Sequence, residues 1–221
     1  MKLTSYVVKH DTGFAPNPYY GFLTLATCKP KIRQSANIDD ILVGTGSARG
    51  VGNNKIIYVG VVSEVLSTID YSIDPRFEAK KPSNQDEKAK RGDNIYYWQD
   101  GQWQQIKNIS HGKGEIYDDL QPNRILVCEK FWYLGNQAKM IPEEFLEIVK
   151  IGPGHKNTID ETLINDFMKW IGQFPRGVMG EPSSLSFCSS DKIPACAGMT
   201  AVEATPFSDG LKQQPEITEA V

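Results

Sequence analysis

The chain has 221 residues, 40% of them hydrophobic, enough for one sizeable core and a small appendage. Its 24 Lys and Arg against 27 Asp and Glu leave a formal net charge of -3, which excludes a global basic field for nucleic acid. No apolar run approaches the ~20 residues that span a bilayer, and the N-terminal apolar centre is too short for a signal peptide, so a cytoplasmic protein with no membrane partner is expected.

Residues 5–9 and 22–28 read as the first two strands. Between them lies Asp11-Thr12-Gly13-Phe14-Ala15-Pro16-Asn17-Pro18-Tyr19-Tyr20-Gly21, whose prolines forbid helix and whose glycines allow tight bends. A short helical turn is expected after Pro30. Ile41-Leu42-Val43 then runs into Gly44-Thr45-Gly46-Ser47-Ala48-Arg49-Gly50-Val51-Gly52. The register of this loop is wrong for a dinucleotide fingerprint, because Arg49 stands where the third glycine belongs. A β-rich run follows it rather than a helix, so the loop joins strand to strand. Residues 56–65 read as one long central strand covered on both faces.

Past Asp70 the chain turns polar. Residues 76–91 hold six basic and three acidic side chains, a solvated face or an electrostatic guide for phosphate. Asn94-Ile95-Tyr96-Tyr97-Trp98-Gln99 and Gln102-Trp103-Gln104-Gln105-Ile106 flank Asp100-Gly101, a strong hairpin signal. Residues 124–134 read as a later strand and 142–149 as a short helix. The long helix is 159–174, with Thr158 and Glu161 at capping-box spacing and an apolar stripe of Leu163, Ile164, Phe167, Ile171 and Phe174. Residues 183–221 lack sustained periodicity and are expected to be disordered. Within them, Lys192 to Thr200 resembles the product of reading through a dispersed bacterial genomic repeat, so the tail is expected to be an accidental extension of a single domain over 1–182.

Common catalytic motifs are absent. Four cysteines make no disulfide framework in a chain of this size. Cys28 and Cys128 fall in apolar runs, where a buried free thiol is the ordinary expectation. Cys188 and Cys196 lack zinc-knuckle spacing, so no metal is expected. His111 and His155 lie in glycine-containing loops and are expected to be exposed. Carboxylates at Asp39, Asp40, Asp74, Asp93, Asp118 or Asp119 could form acid–base pairs, with Asp74 and Asp93 the candidate catalytic groups.

Five motifs carry a resemblance: Gly13-Phe14-Ala15-Pro16-Asn17-Pro18, Cys28-Lys29-Pro30-Lys31-Ile32-Arg33, Gly44-Thr45-Gly46-Ser47, Asp74-Pro75-Arg76-Phe77 and Gly92-Asp93-Asn94-Ile95-Tyr96-Tyr97. In this order the chain resembles the nucleotide modification associated domain 2 family from about Thr4 to Pro182. The resemblance implies a setting in bacterial or bacteriophage systems that alter nucleotides or DNA bases, and supplies no catalytic residues or cofactor. A looser pattern is similar to PUA-like barrels of the EVE and ASCH type, which accept a base, often a modified one.

The expected architecture is α+β: a mostly antiparallel, PUA-like β barrel or strongly curved sheet with a C-terminal amphipathic helix. The expected function is recognition of a nucleotide or of DNA, alongside base-modifying enzymes; the alternative is an enzyme using loop carboxylates. Asn17, Thr45, Ser47 and Asn94 could read a base edge or sugar, with Gly46 beside them, and Tyr96 could wall the base. Lys29, Lys31, Arg33, Arg76, Lys80 and Lys81 could meet phosphate.

Overall fold

A computed structural model describes residues 1–184. The expected disordered tail lies outside the described residues, save Ser183 and Ser184, whose amides donate to Asp11. The chain opens with β1 (Leu3–Val7), β2 (Leu23–Leu25) and α1 (Pro30–Ser35), then β3 (Ile41–Thr45) and β4 (Lys55–Val61) on either side of the glycine loop. Next come β5 (Glu64–Leu66), α2 (Thr68–Ile73) and the hairpin β6 (Tyr96–Gln99) with β7 (Gln102–Gln105). The helix α3 (Ile116–Leu120) leads to β8 (Ile125–Cys128), β9 (Lys130–Tyr133) and β10 (Lys139–Met140). β11 (His155–Thr158), α4 (Glu161–Ile171) and β12 (Gly177–Val178) complete the order.

The expected barrel or strongly curved sheet is corrected. The fold is α+β, but its main sheet is open and mixed, in the order β11-β1-β3-β4-β9-β12 with β10 also on β4. β1 pairs with β3 in parallel, β12 pairs with β9 in parallel, and the end strands stand at opposite edges. Parallel neighbours need a crossover, which here runs through β2 and α1. Local turn patterns carry no signal for such a pairing.

Two runs that read as single strands each serve two sheets. The chain leaves the main sheet after β4, and β5 pairs with β8 in a second sheet of order β2-β8-β5. Residues 124–134 divide in the same way, β8 lying in the second sheet and β9 in the first. Their apolar character follows from burial on both faces. Along β8, Leu126 and Cys128 face the core between the sheets, while Ile125 and Val127 pack with Tyr71 and Phe77 on the far side.

α4 covers the other face of the main sheet. Ile164, Phe167 and Ile171 pack against Val43, Val59 and Trp132, each such burial being worth about 1.5–3 kcal/mol. Its cap is Asp160, which accepts from the Leu163 amide at 2.9 Å, in place of the expected Thr158–Glu161 box. The expected short helix is a 3-10 segment, Glu143–Ile148. The hairpin matches its expectation, with Asp100 and Gly101 at φ 52° and 77°, the positive pair a type I′ turn requires.

The glycine loop does join strand to strand, and its glycines answer to packing. A Cβ on Gly44 would lie 2.2 Å from Cε1 of Tyr58, its partner across the β3–β4 pair. One on Gly46 would lie 2.2 Å from the Gly52 carbonyl oxygen. Among the described residues, no helix is long and apolar enough to cross a membrane.

Candidate active site

The turn from β2 into α1 is strained. Cys28 and Lys29 take φ of 57° and 43°, and left-handed conformations at two non-glycine residues cost of order 1–3 kcal/mol each. Pro30 then starts the helix at a position that needs no amide. A strand, a sharp turn with positive φ, and a helix is the arrangement that holds a nucleophile clear of the backbone in a nucleophile elbow.

Arg33 and Asp119 hold this turn in place. Arg33 is wholly buried, and its guanidinium donates to the carbonyls of Cys28 at 2.8 Å, Asp119 at 2.7 Å, and Pro122 and Arg124 at 3.0 Å each. One side chain therefore ties the Cys28 turn to the segment that carries Asp119. Asp119 Oδ1 accepts from the Cys28 amide at 3.1 Å, and its Oδ2 accepts from the Tyr96 hydroxyl at 2.8 Å.

His111 stands between the two. Its Nε2 is 3.3 Å from Cys28 Sγ, while its Nδ1 makes a short contact with Asp119 Oδ2. Asn108 fixes the imidazole-bearing loop by accepting from the amides of Ser110 at 2.9 Å and His111 at 2.7 Å. The Phe14 ring lies 4.9 Å from the imidazole. Sulfur, imidazole and carboxylate thus form an ordered series, the nucleophile–base–orienter logic of covalent catalysis.

The electrostatics agree with that order. Burial by itself would lower the pKa of His111, but its bonds to Asp119 and Cys28 outweigh it and push the value up to about 10. Burial would likewise raise Asp119, and the bond to His111 overcomes it, so the carboxyl titrates below its usual range. At neutral pH an imidazolium therefore lies between a carboxylate and the Cys28 sulfur.

The three donors also lie within 4.8 Å of one another, close enough to suggest a metal. The geometry fits that group less well. Cys28 and Asp119 use opposite nitrogens of one ring, so an ion at Nε2 would take Cys28 and His111 and leave Asp119 as the orienting carboxylate. Two protein ligands fall short of the three that a catalytic zinc uses.

The residues singled out from sequence fall in several places. Lys29 flanks Cys28 with its ammonium 5.0 Å from the Tyr6 ring, Lys31 is exposed on α1, and Tyr96 reaches Asp119 as described. Asn17, Lys80, Asp93 and Asn94 lie together in a buried network. Lys80 Nζ donates to Asn17 Oδ1 at 2.7 Å and to the carbonyls of Asn17 at 3.2 Å and Phe22 at 3.0 Å. Asp93 accepts from Thr24 at 2.6 Å and Tyr71 at 2.7 Å, and Asn94 donates to the carbonyls of Tyr71 and Phe77. Burial lowers Lys80 to about 8 and raises Asp93.

Asp74 and Arg76 are a surface pair that also engages Glu64, and Lys81 pairs with Glu78. Thr45 donates to the Tyr6 carbonyl at 3.2 Å beside Gly46, and the Ser47 hydroxyl is buried with no partner among the described residues. Cys28, His111 and Asp119 were not singled out together. They are separated by 83 and 8 positions, and only the folded chain joins them.

Fold and site together define an α+β protein with a thiol–imidazole–carboxylate series at a strained strand-to-helix turn. The chain belongs to the nucleotide modification associated domain 2 family, whose model matches residues 1–191. No curated protein and no solved structure matches it.

Proposed function

We propose that this protein is a thiol-dependent enzyme of nucleotide modification, with Cys28 as nucleophile, His111 as its acid–base partner and Asp119 as the group that orients His111. The observation that carries this reading is the series itself, Sγ to Nε2 and Nδ1 to carboxylate, on a turn with positive φ. Membership of a family named for nucleotide modification supports a nucleotide, free or within DNA, as the substrate class.

In this reading the Cys28 sulfur attacks an electrophilic carbon of the nucleotide and forms a C–S bond. The bond from that carbon to a heteroatom breaks, and the heteroatom leaves with the electron pair and the proton from His111. Water then attacks the same carbon, gives its proton to His111, and the C–S bond breaks to return the Cys28 sulfur with its electron pair. Asp119 stays ionised and stabilises the imidazolium before the transfer. Tyr96 restricts the carboxylate rotamer through its hydrogen bond.

The test is nucleoside analysis by mass spectrometry of cells expressing the full chain or its Cys28→Ser variant. An altered nucleoside present with the natural chain and absent with the variant is expected. The same nucleoside profile in both, with both proteins folded and equally abundant, would overturn the thiol reading. Stoichiometric zinc in the purified protein, lost in Cys28→Ser, would favour a metal centre instead.

A further inference from the structure

A cavity of about 530 Å³ lies between the loop at residues 18–21 and the β12 edge of the main sheet. That volume is in the range of small-molecule sites. Tyr19, Tyr20 and Phe131 supply its aromatic walls, and Lys88, Arg176 and Glu129 its charges.

The two cations are available. The Lys88 ammonium lies 5.7 Å from the Tyr19 ring centre, and the Arg176 guanidinium 6.0 Å from that of Trp132. Neither forms an ion pair among the described residues, whereas Arg76, Lys81 and Lys90 from the same basic stretch as Lys88 all do. Cations seated on ring faces keep their charge free for an anion. Two positive groups against one carboxylate leave the cavity with an excess of one positive charge.

The loop is anchored from beneath. Asn17 and Thr24 exchange backbone hydrogen bonds of 2.9 Å each, closing a small hairpin around it. The Asn17 side chain accepts from the Tyr19 amide at 3.2 Å. The buried Lys80 ammonium bonds the carbonyls on both sides, Asn17 before the loop and Phe22 after it. A buried lysine spent on fixing one surface loop points to a surface whose shape matters.

We propose that this cavity is a nucleotide-binding cleft: the exposed Tyr20 ring receives the base above a floor that includes the buried Tyr19 and Phe131, while Lys88 and Arg176 receive its phosphate. Aromatic faces accept any base by stacking, and a guanidinium offers phosphate a two-pronged donor. Asn17 and Lys80 are positioning residues for the loop. The proposal rests on the nucleotide assignment above; Cys28, His111 and Asp119 do not line the cleft, so it is a second site, independent of the chemistry assigned to Cys28.

The experiment is calorimetric titration of the full-length Cys28→Ser protein, which removes turnover, with each deoxynucleoside monophosphate, a short single-stranded oligodeoxynucleotide and inorganic phosphate. Saturable binding of a monophosphate or the oligonucleotide is expected, at least tenfold tighter than phosphate alone. Whichever of the two binds tighter identifies the free or polymeric source. Arg176→Gln and Lys88→Gln should each weaken binding several-fold, and the double variant at least tenfold, with circular dichroism unchanged. Unaltered affinity in the folded double variant would overturn the proposal, as would the absence of saturable binding or phosphate binding as tight as nucleotide. Failure of the thiol reading would appear in the nucleoside analysis and not in this titration.

Discussion

The backbone amide of Cys28 donates to Asp119 Oδ1 at 3.1 Å, so the carboxylate that orients His111 also holds the residue that His111 faces. Asp119→Asn keeps the size of the side chain and weakens its bonds to His111, the Cys28 amide and the Tyr96 hydroxyl. The variant should lose most Cys28-dependent activity while its melting temperature falls only modestly. Activity equal to that of the natural chain would show that His111 needs no orienting carboxylate.

His111 also predicts a pH signature. It holds its proton to about pH 10 in the folded chain and only to about 6.5 when unfolded. Its contribution is therefore complete below the unfolded value and is lost as pH rises from there to about 10. On the acid side the pair fades once Asp119, held below the usual carboxylate range, is protonated. Urea unfolding of the natural chain and His111→Ala should show the widest stability gap between about pH 4 and 6.5, closing toward 10. A gap that is constant with pH would contradict the ion pair.

Arg33 is the main tie between the two halves of the site. Arg33→Met would strand four carbonyl oxygens, that of Asp119 buried and the other three half-buried, and is expected to cost about 3 kcal/mol, measured by urea unfolding. Arg33→Lys should recover only part of this, since an ammonium cannot reproduce the fork. Full recovery would mean that charge alone is what the four carbonyls require.

Lys80→Met removes three hydrogen bonds at the base of the aromatic loop and leaves Asp93 buried without its countercharge. A loss of about 3–5 kcal/mol is expected. The Lys80 pKa is lowered to about 8 from an ordinary value near 10.4, so the folded chain binds fewer protons there than the unfolded one between those values. This group's contribution thus rises with pH across that window, opposite to that of His111. Thermal unfolding of Lys80→Met against the natural chain, at neutral and alkaline pH, checks both the size and the sign.

Sequence patterns carried the local structure and lost the long-range pairing. Asp100-Gly101 marked the hairpin because positive φ at both positions is a local chemical preference. The stripe Ile164, Phe167 and Ile171 marked α4 because one helix face meets one core. The parallel pairing of β1 with β3 depends on a crossover, and no residue type reports its course, so the sheet was misread as a barrel. The two runs shared between sheets were misread because burial on both faces looks the same whether or not a strand changes sheet.

The site was legible only in part. In the Cys28-Lys29-Pro30-Lys31-Ile32-Arg33 motif, the positive charge of Lys29, Lys31 and Arg33 points to phosphate. Arg33 is instead bonded inside the protein, and Cys28 beside it was read as a plain buried thiol. The missed signal was the pairing of a polar turn with a cysteine immediately before Lys-Pro, which ends a strand and starts a helix. His111, 83 positions away, has no local mark at all.

The central claim is that His111 makes Cys28 a nucleophile, and iodoacetamide labelling at neutral pH tests it most directly. Rates for Cys28 and Cys128 would be followed by peptide mass spectrometry in the natural chain and in His111→Ala. Cys28 should label at least tenfold faster than the buried Cys128, and His111→Ala should slow Cys28 at least tenfold. Equal Cys28 rates in the two folded proteins would contradict the account.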